Sequence, residues 1–421
     1  MTALQKNYTL PIAMMFALFF MIAFVTGLQN PMGVIVKSQF QASNFLSQLG
    51  NLANFIAYAF MGIPAGLMLQ KIGYKKTALV AIAVGFAGVG ITLLSGRVGS
   101  FPVYLTGAFV SGFSMCMLNT VVNPMLNTLG GEGKRGNQLL QFGGALNSMG
   151  ATIVPVLVGY LMGDVARAAI SDANPALFLA MGIFALAFVV LLSMPIPEPH
   201  IVKDKVTEKS AQGPLSFRHF ILGAVAIFVY VGTEVGIPNI ANLYMTGDLQ
   251  ISPTTAGTVV GTYWFLMLIG RLVGGMLGAK FSSKSMLAFV SVLGLVLVVL
   301  AIVLPKDQLV SMPVFQSDIS FGLAKVPLSI MLLVLCGLCT SVMWGGIFNL
   351  ATEGLGKYTA AASGIFMVMV CGGGIIPAIQ AWSADLFGYV ESYWLIVGCL
   401  AYMLFYALVG SKNINKDLKV D

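Results

Sequence analysis

The sequence predicts an all-α membrane protein, with twelve transmembrane helices in two six-helix bundles. Three observations lead there. The 421 residues are 58% hydrophobic and only 9% charged, with a mean hydropathy of +0.91, whereas a soluble domain carries about a quarter charged residues. The apolar residues gather into twelve runs, each near the ~20 residues that cross a bilayer as a helix, and none alternates as a barrel strand would. Short motifs recur in the same order on either side of one charged interval, as in a duplicated chain.

The runs fall at 9–37, 44–70, 77–96, 101–128, 137–163, 175–195, 218–245, 254–279, 285–304, 327–352, 360–386 and 391–410. Residues 197–216, PEPHIVKDKVTEKSAQGPLS, hold the longest charged interval and no apolar helical face. They are expected to form a cytoplasmic linker between an N-terminal bundle, 1–196, and a C-terminal bundle, 217–421. The start of the chain shows no cleavable signal, because the run from Leu10 is too long and no small-residue site closes it. Basic residues set the orientation. With both termini cytoplasmic, sixteen Lys and Arg lie inside and five outside, namely Lys37, Arg97, Arg167, Lys306 and Lys325. The net charge of +7 therefore reports topology and not a nucleic-acid partner. The expected location is a bacterial cytoplasmic (inner) membrane, among lipid, as a monomer.

In the fourth run, Asn119, Asn123 and Asn127 recur at i, i+4 and i+8, which puts three amides on one helical face. Pro124 in the same run frees the carbonyl of Thr120 and predicts a kink. An amide stripe in a bilayer must face other helices or a wet cavity. The repeat is read from four matches. Asn30 in run one matches Asn239 in run seven, and Gly66 in run two matches Gly275 in run eight, both 209 residues apart. Asn123 matches Asn349 at 226, and Gly150 matches Gly372 at 222. The offset grows where 305–326 makes a long outer loop. Gly143, Gly144, Gly150 and Gly372 to Gly374 are expected to let helices five, eight and eleven approach closely.

Five cysteines, Cys116, Cys336, Cys339, Cys371 and Cys399, all fall in apolar runs. Cys336 and Cys339 make a C-x-x-C without further ligands, so packing is expected and neither a metal nor a cofactor. His200 and His219 are read as solvated residues of the central loop. No Ser/His/Asp set, phosphate-cradling loop or ATP-binding unit appears, so the chain is not read as an enzyme or an ATP-driven pump.

The loop from Gly66 to Lys76, GLMLQKIGYKK, resembles the signature of the major facilitators, with Gln70 where that signature has an acid. Further segments resemble the fucose permease family of sugar symporters within it: Asn123-Pro124 with Thr128-Leu129-Gly130, Asn147 to Gly150, Tyr230 to Glu234, Tyr263-Trp264, Gly270-Arg271, Ile347 to Ala351, Gly354 to Lys357 and Ile376-Pro377. The resemblance implies the major facilitator fold, a substrate held between the bundles and alternating access. It also implies two acids for proton coupling and sugar binding, at the positions where this chain has Asn30 and Asn119.

Amides bind sugar hydroxyls in pairs while aromatic rings cover the C–H face. Candidate substrate-binding residues are Gln29, Asn30, Asn119, Asn123, Gln141, Asn147, Asn239, Asn242, Asn349 and Gln380, with Tyr263 and Trp264, and with Tyr230 and Trp344 as further aromatics. So many amides with so little charge suit a small neutral sugar, a hexose or deoxyhexose. Two charges lie deep in the runs, Glu234 and Arg271. Either they form a structural pair, or Glu234 is the titratable group that carries a proton. The alternatives to a proton symporter are a sugar uniporter and a Na⁺-coupled symporter. An exporter or a non-transporting sensor fits the amides less well.

Overall fold

The computed structural model describes residues 8–129, 134–162, 169–198, 213–278, 281–305, 307–316, 320–355 and 358–414. Eleven spans among these are long and apolar enough to cross a membrane. In chain order they are α1 (Thr9–Gln39), α2 (Leu49–Leu69), α3 (Lys71–Val98) and α4 (Phe101–Leu129), then α6 (Ile170–Ser193), α7 (Arg218–Gly247), α8 (Pro253–Leu277), α9 (Ser283–Val303), α10 (Leu328–Thr352), α11 (Gly364–Phe387) and α12 (Glu391–Gly410). Between the fourth and sixth lies α5 (Lys134–Met162), 29 residues long. Every expected run is therefore helical, and the ends shift by a few residues. The halves meet along two seams, α2 against α11 and α5 against α8.

Several helices are broken, for reasons readable residue by residue. Pro31 cannot donate to the carbonyl of Gly27, and α1 restarts at Gln29 after a turn at Leu28. The tenth helix is interrupted between Thr340 and Met343, and the eleventh between Met369 and Gly372. The fourth runs through Pro124 without a break.

Two interior prolines leave carbonyls that other helices take up. Pro377 frees the carbonyl of Gly373, which accepts from Asn51 Nδ2 of α2 at 2.9 Å. Pro238 frees the carbonyl of Glu234, which accepts from the Tyr263 hydroxyl of α8 at 3.1 Å. Of the expected glycine contacts, the approach of helix five to helix eight is present at Gly144, and the others serve different pairs. A Cβ on Gly372 would overlap the Phe228 carbonyl of α7, and one on Gly373 or Gly374 would strike Phe55 or Leu52 of α2. Gly143 and Gly150 lie against Phe19 and Ala23 of α1, while Gly144 meets the Arg271 side chain of α8.

Gly73, at φ +83°, breaks the helical path just inside the start of α3. Beyond it Glu198 accepts from the backbone N–H groups of Tyr74 (2.6 Å) and Lys75 (3.0 Å). Lys75 Nζ returns the contact to the carbonyls of Leu192 and Met194. The carboxylate that this loop lacks at Gln70 is supplied from beyond α6, while the Gln70 side chain itself lies outside the described residues.

Two expectations are corrected. His219 is no solvated loop residue: it lies buried in the first turn of α7, with Nε2 2.9 Å from the Glu353 carbonyl. In place of the loop expected at 305–326, an antiparallel hairpin forms that reaches Pro327, β1 (Leu309–Phe315) with β2 (Phe321–Pro327). All five cysteines are buried and free.

Candidate functional site

Glu234, Arg271 and the glycine-serine face of α5 meet within the membrane-spanning region. Arg271 Nη2 lies 3.3 Å from Glu234 Oε1, joining α8 to α7. Its other nitrogen, Nη1, donates to the Gly144 carbonyl at 2.5 Å and to Ser148 Oγ at 2.8 Å, both on α5 of the opposite half. A Cβ at position 144 would lie 3.6 Å from Arg271 Nη1, in ordinary contact, so it is the Gly144 carbonyl that makes the link. The Arg271 and Glu234 side chains keep 13% and 14% of their surface exposed, so the pair is largely but not wholly buried. Tyr230, one turn before Glu234 and fully buried, turns its hydroxyl toward both charges without reaching hydrogen-bonding geometry to either. Its ring lies 6.2 Å from that of Trp344.

The candidate side chains sort into groups. Asn119, Asn123, Asn147 and Trp264 are half-buried, as are Glu234 and Arg271. Asn119 Nδ2 donates to the Tyr58 hydroxyl and to the Met115 carbonyl, both at 3.1 Å. Asn123 Nδ2 bonds the Asn119 carbonyl at 2.8 Å, so each amide keeps its oxygen for another partner. Asn147 Nδ2 reaches the Phe19 carbonyl at 3.4 Å. Trp264 lies on the Arg271 face of α8, two turns away, with its ring perpendicular to that of Tyr263.

Asn239, Asn242, Tyr263 and Gln380 are buried. Tyr263 braces three helices, bonding the Glu234 carbonyl and lying 3.1 Å from Thr340 Oγ1. Neither amide atom of Gln380 has a partner among the described residues. Asn349 is exposed on α10. The side chains of Gln29, Asn30, Asn127 and Gln141 lie outside the described residues.

A second cluster, on the face opposite the termini, was not anticipated. Asn44 and Phe45 begin the short helix Asn44–Ser47 between α1 and α2, and their N–H groups donate to the two oxygens of Asp385 on α11, each at 2.9 Å. Lys37 Nζ donates to Asn44 Oδ1 and to the Tyr389 hydroxyl, both at 2.5 Å, and Tyr389 donates to Asn44 Oδ1 at 2.8 Å. Burial pushes the Tyr389 phenol up to about 12, so it stays a neutral donor. Asn239 Nδ2 reaches Gln48 Oε1 at 3.1 Å, and Asn51 holds the Gly373 carbonyl. Each of these contacts except Lys37–Asn44 pairs one half directly with the other, and that one shares the same knot. On the side of the termini, Arg271 is the hydrogen-bonded link between halves. A signal for part of this cluster was present: Gln48, Asn51, Asn54 and Tyr58 recur every three or four residues along one face of α2.

With this geometry in hand, comparison with known proteins gives consistent matches. The model of the Major Facilitator Superfamily matches residues 15–233 and 222–417. A glucose/galactose transporter of Brucella abortus (strain 2308) is 28% identical over 98% of this chain and 97% of its own length. The L-fucose-proton symporter of Escherichia coli (strain K12) is 23% identical over 97% of this chain and 95% of its own. Among solved structures, that of the transporter FucP in the outward conformation superposes with a TM-score of 0.71 at 20% identity, covering 97% of this chain and 100% of that one.

Proposed function

The chain belongs to the Major Facilitator Superfamily, and from that premise we propose that it is a secondary carrier importing a neutral monosaccharide, a hexose or deoxyhexose, by proton symport. It is not an enzyme. The observation that carries the reading is the Arg271 bridge, which ties Glu234 in one half to Gly144 and Ser148 in the other. A carrier couples an ion to a sugar only if the binding of each alters the free energy of the other. A carboxylate whose counter-ion also holds the opposite half meets that requirement, since protonating it changes what Arg271 must balance.

The half-buried amides Asn119, Asn123 and Asn147, with Trp264 beside them, offer the donors, acceptors and ring face that a sugar needs. The names of the two relatives agree with that chemistry. Gln29, Asn30, Gln141, Asn239, Asn242, Tyr263, Asn349 and Gln380 remain in the proposed set, the buried ones as residues uncovered when the halves rock. The protein works as a monomer in the bacterial inner membrane with both termini cytoplasmic.

One observation favours a second reading. Asn119 stands where the fucose permease family has an acid, and its amide is already bonded by Tyr58, so the N-terminal half offers no carboxylate there. That favours a facilitative uniporter. Na⁺ coupling would have Glu234 as its nearby carboxylate and is the weaker option.

The deciding experiment is uptake of labelled sugars into proteoliposomes under an imposed pH gradient and then a Na⁺ gradient, for wild type and Glu234→Gln. Proton symport through Glu234 gives concentrative uptake that follows pH and disappears in Glu234→Gln, with sugar-for-sugar exchange retained. Accumulation unchanged in Glu234→Gln would remove Glu234 as the proton site. Exchange without accumulation under either gradient would establish the uniporter, and movement of cationic drugs but no sugar would overturn the substrate class.

A further inference from the structure

The β1–β2 hairpin is apolar on both faces. Antiparallel sheets that rest on a protein core normally present polar residues outward. Here Met312, Val314, Ala324 and Val326 are buried against α8 and α10. The opposite face pairs Leu309 with Pro327, Pro313 with Leu323 and Phe315 with Phe321, leaving Ser311 and Lys325, paired with each other, as its polar members. Leu323 is 72% exposed and Phe321 62%.

Continuity with the surface of α8 says what covers this face. Phe315 stacks on Phe265 of α8 at 5.2 Å, and Phe321 meets the same ring edge-on at 5.5 Å. The Phe315 N–H donates to Thr262 Oγ1 at 2.9 Å, which fixes the hairpin tip to the helix. From Phe265 the exposed residues Ile269, Leu272 and Met276 continue down one side of α8 at spacings of four, three and four. On a membrane-spanning helix such a stripe faces lipid. The neighbouring end of α9 is likewise apolar and exposed at Leu300 and Val303, and the hairpin begins six residues later.

We infer that the outward face of the hairpin, Leu309, Pro313, Phe321 and Leu323, is a lipid-binding surface seated in the leaflet opposite the termini. It sits at the boundary between headgroups and acyl chains. A two-stranded sheet leaves strand edges unpaired, and these need water or headgroup partners that the hydrocarbon centre does not offer. Lys325 extends its ammonium toward the headgroups while its stem stays on the apolar face.

The test uses the full chain in phosphatidylethanolamine–phosphatidylglycerol liposomes, with a nitroxide attached to Leu323→Cys and separately to Phe321→Cys. Ile269→Cys on the α8 stripe and Lys412→Cys near the C-terminus serve as lipid and water references. Collisions with oxygen and with a water-soluble nickel chelate are measured at each. A hairpin seated in lipid gives an oxygen-to-nickel ratio at Leu323 and Phe321 several-fold above that at Lys412, approaching that at Ile269. A ratio equal to that at Lys412 means that the face lies in water and overturns the proposal. Poor access to both reagents, with dipolar broadening between labels, means that a second copy of the chain covers it, and equally overturns it. Labels at two positions keep the result independent of local damage at either.

Discussion

Arg271 is the residue on which the two readings of Glu234 converge. The sequence left a structural pair and a proton site as separate options; the geometry shows the pair, and the same guanidinium serves Glu234 and the Gly144 carbonyl. Removing one partner of such a pair leaves a charge without compensation, which costs about 3–5 kcal/mol, whereas replacing both by packed apolar groups costs far less. Arg271→Met is therefore expected to lower the thermal unfolding midpoint in detergent more than the double variant Arg271→Met/Glu234→Met does. Equal losses would deny the pairing. Tyr58 provides a second check, since its hydroxyl is the side-chain partner of Asn119 across α2 and α4. Tyr58→Phe should weaken sugar binding by roughly the tenfold that one lost hydrogen bond of about 1 kcal/mol or slightly more allows, measured by sugar-induced quenching. The Glu234–Arg271 pair was legible in the sequence as one of two options. Gly144, Ser148 and Tyr58 as partners were not, because a hydrogen bond between helices depends on rotation about axes that periodicity leaves free.

Among the elements, the helices were the easiest to read, since a bilayer forces about twenty apolar residues into each span. The hairpin was missed for an equally physical reason. Pro313 and Gly322 sit inside its strands, where both residues usually argue against a sheet, yet a strand with a free edge tolerates them. The prolines of α7 and α11 show how far such reading can go. Each necessarily frees the carbonyl four residues earlier, so Glu234 and Gly373 could be named in advance, while Tyr263 and Asn51 as the takers could not. The Asn51 contact belongs to the seam between the halves. Asn51→Leu should leave the Gly373 carbonyl without a donor and loosen α2 from α11, raising amide hydrogen exchange near Gly373. Unchanged exchange there would mean that the bond contributes little.

At the scale of the molecule, one dense hydrogen-bonded knot joins the halves. The knot around Asp385 and Asn44 closes the face opposite the termini, and the Arg271 bridge links the halves deeper in the molecule. Hydrogen bonds to a charged group contribute about 1.5–3 kcal/mol, so Asp385→Asn should shift the population toward the state open on the far face by roughly ten- to a hundredfold. Distances between spin labels placed on either side of the knot would lengthen, and no change would show that it carries little energy. The knot also has a kinetic side. None of its members is among the amides proposed to hold sugar except Asn239, so an empty protein must break it without help from cargo. The return of the unloaded protein is then the slow leg of each cycle. Sugar placed on the trans side should accelerate tracer flux, and Asp385→Asn should shrink that acceleration by speeding the empty return.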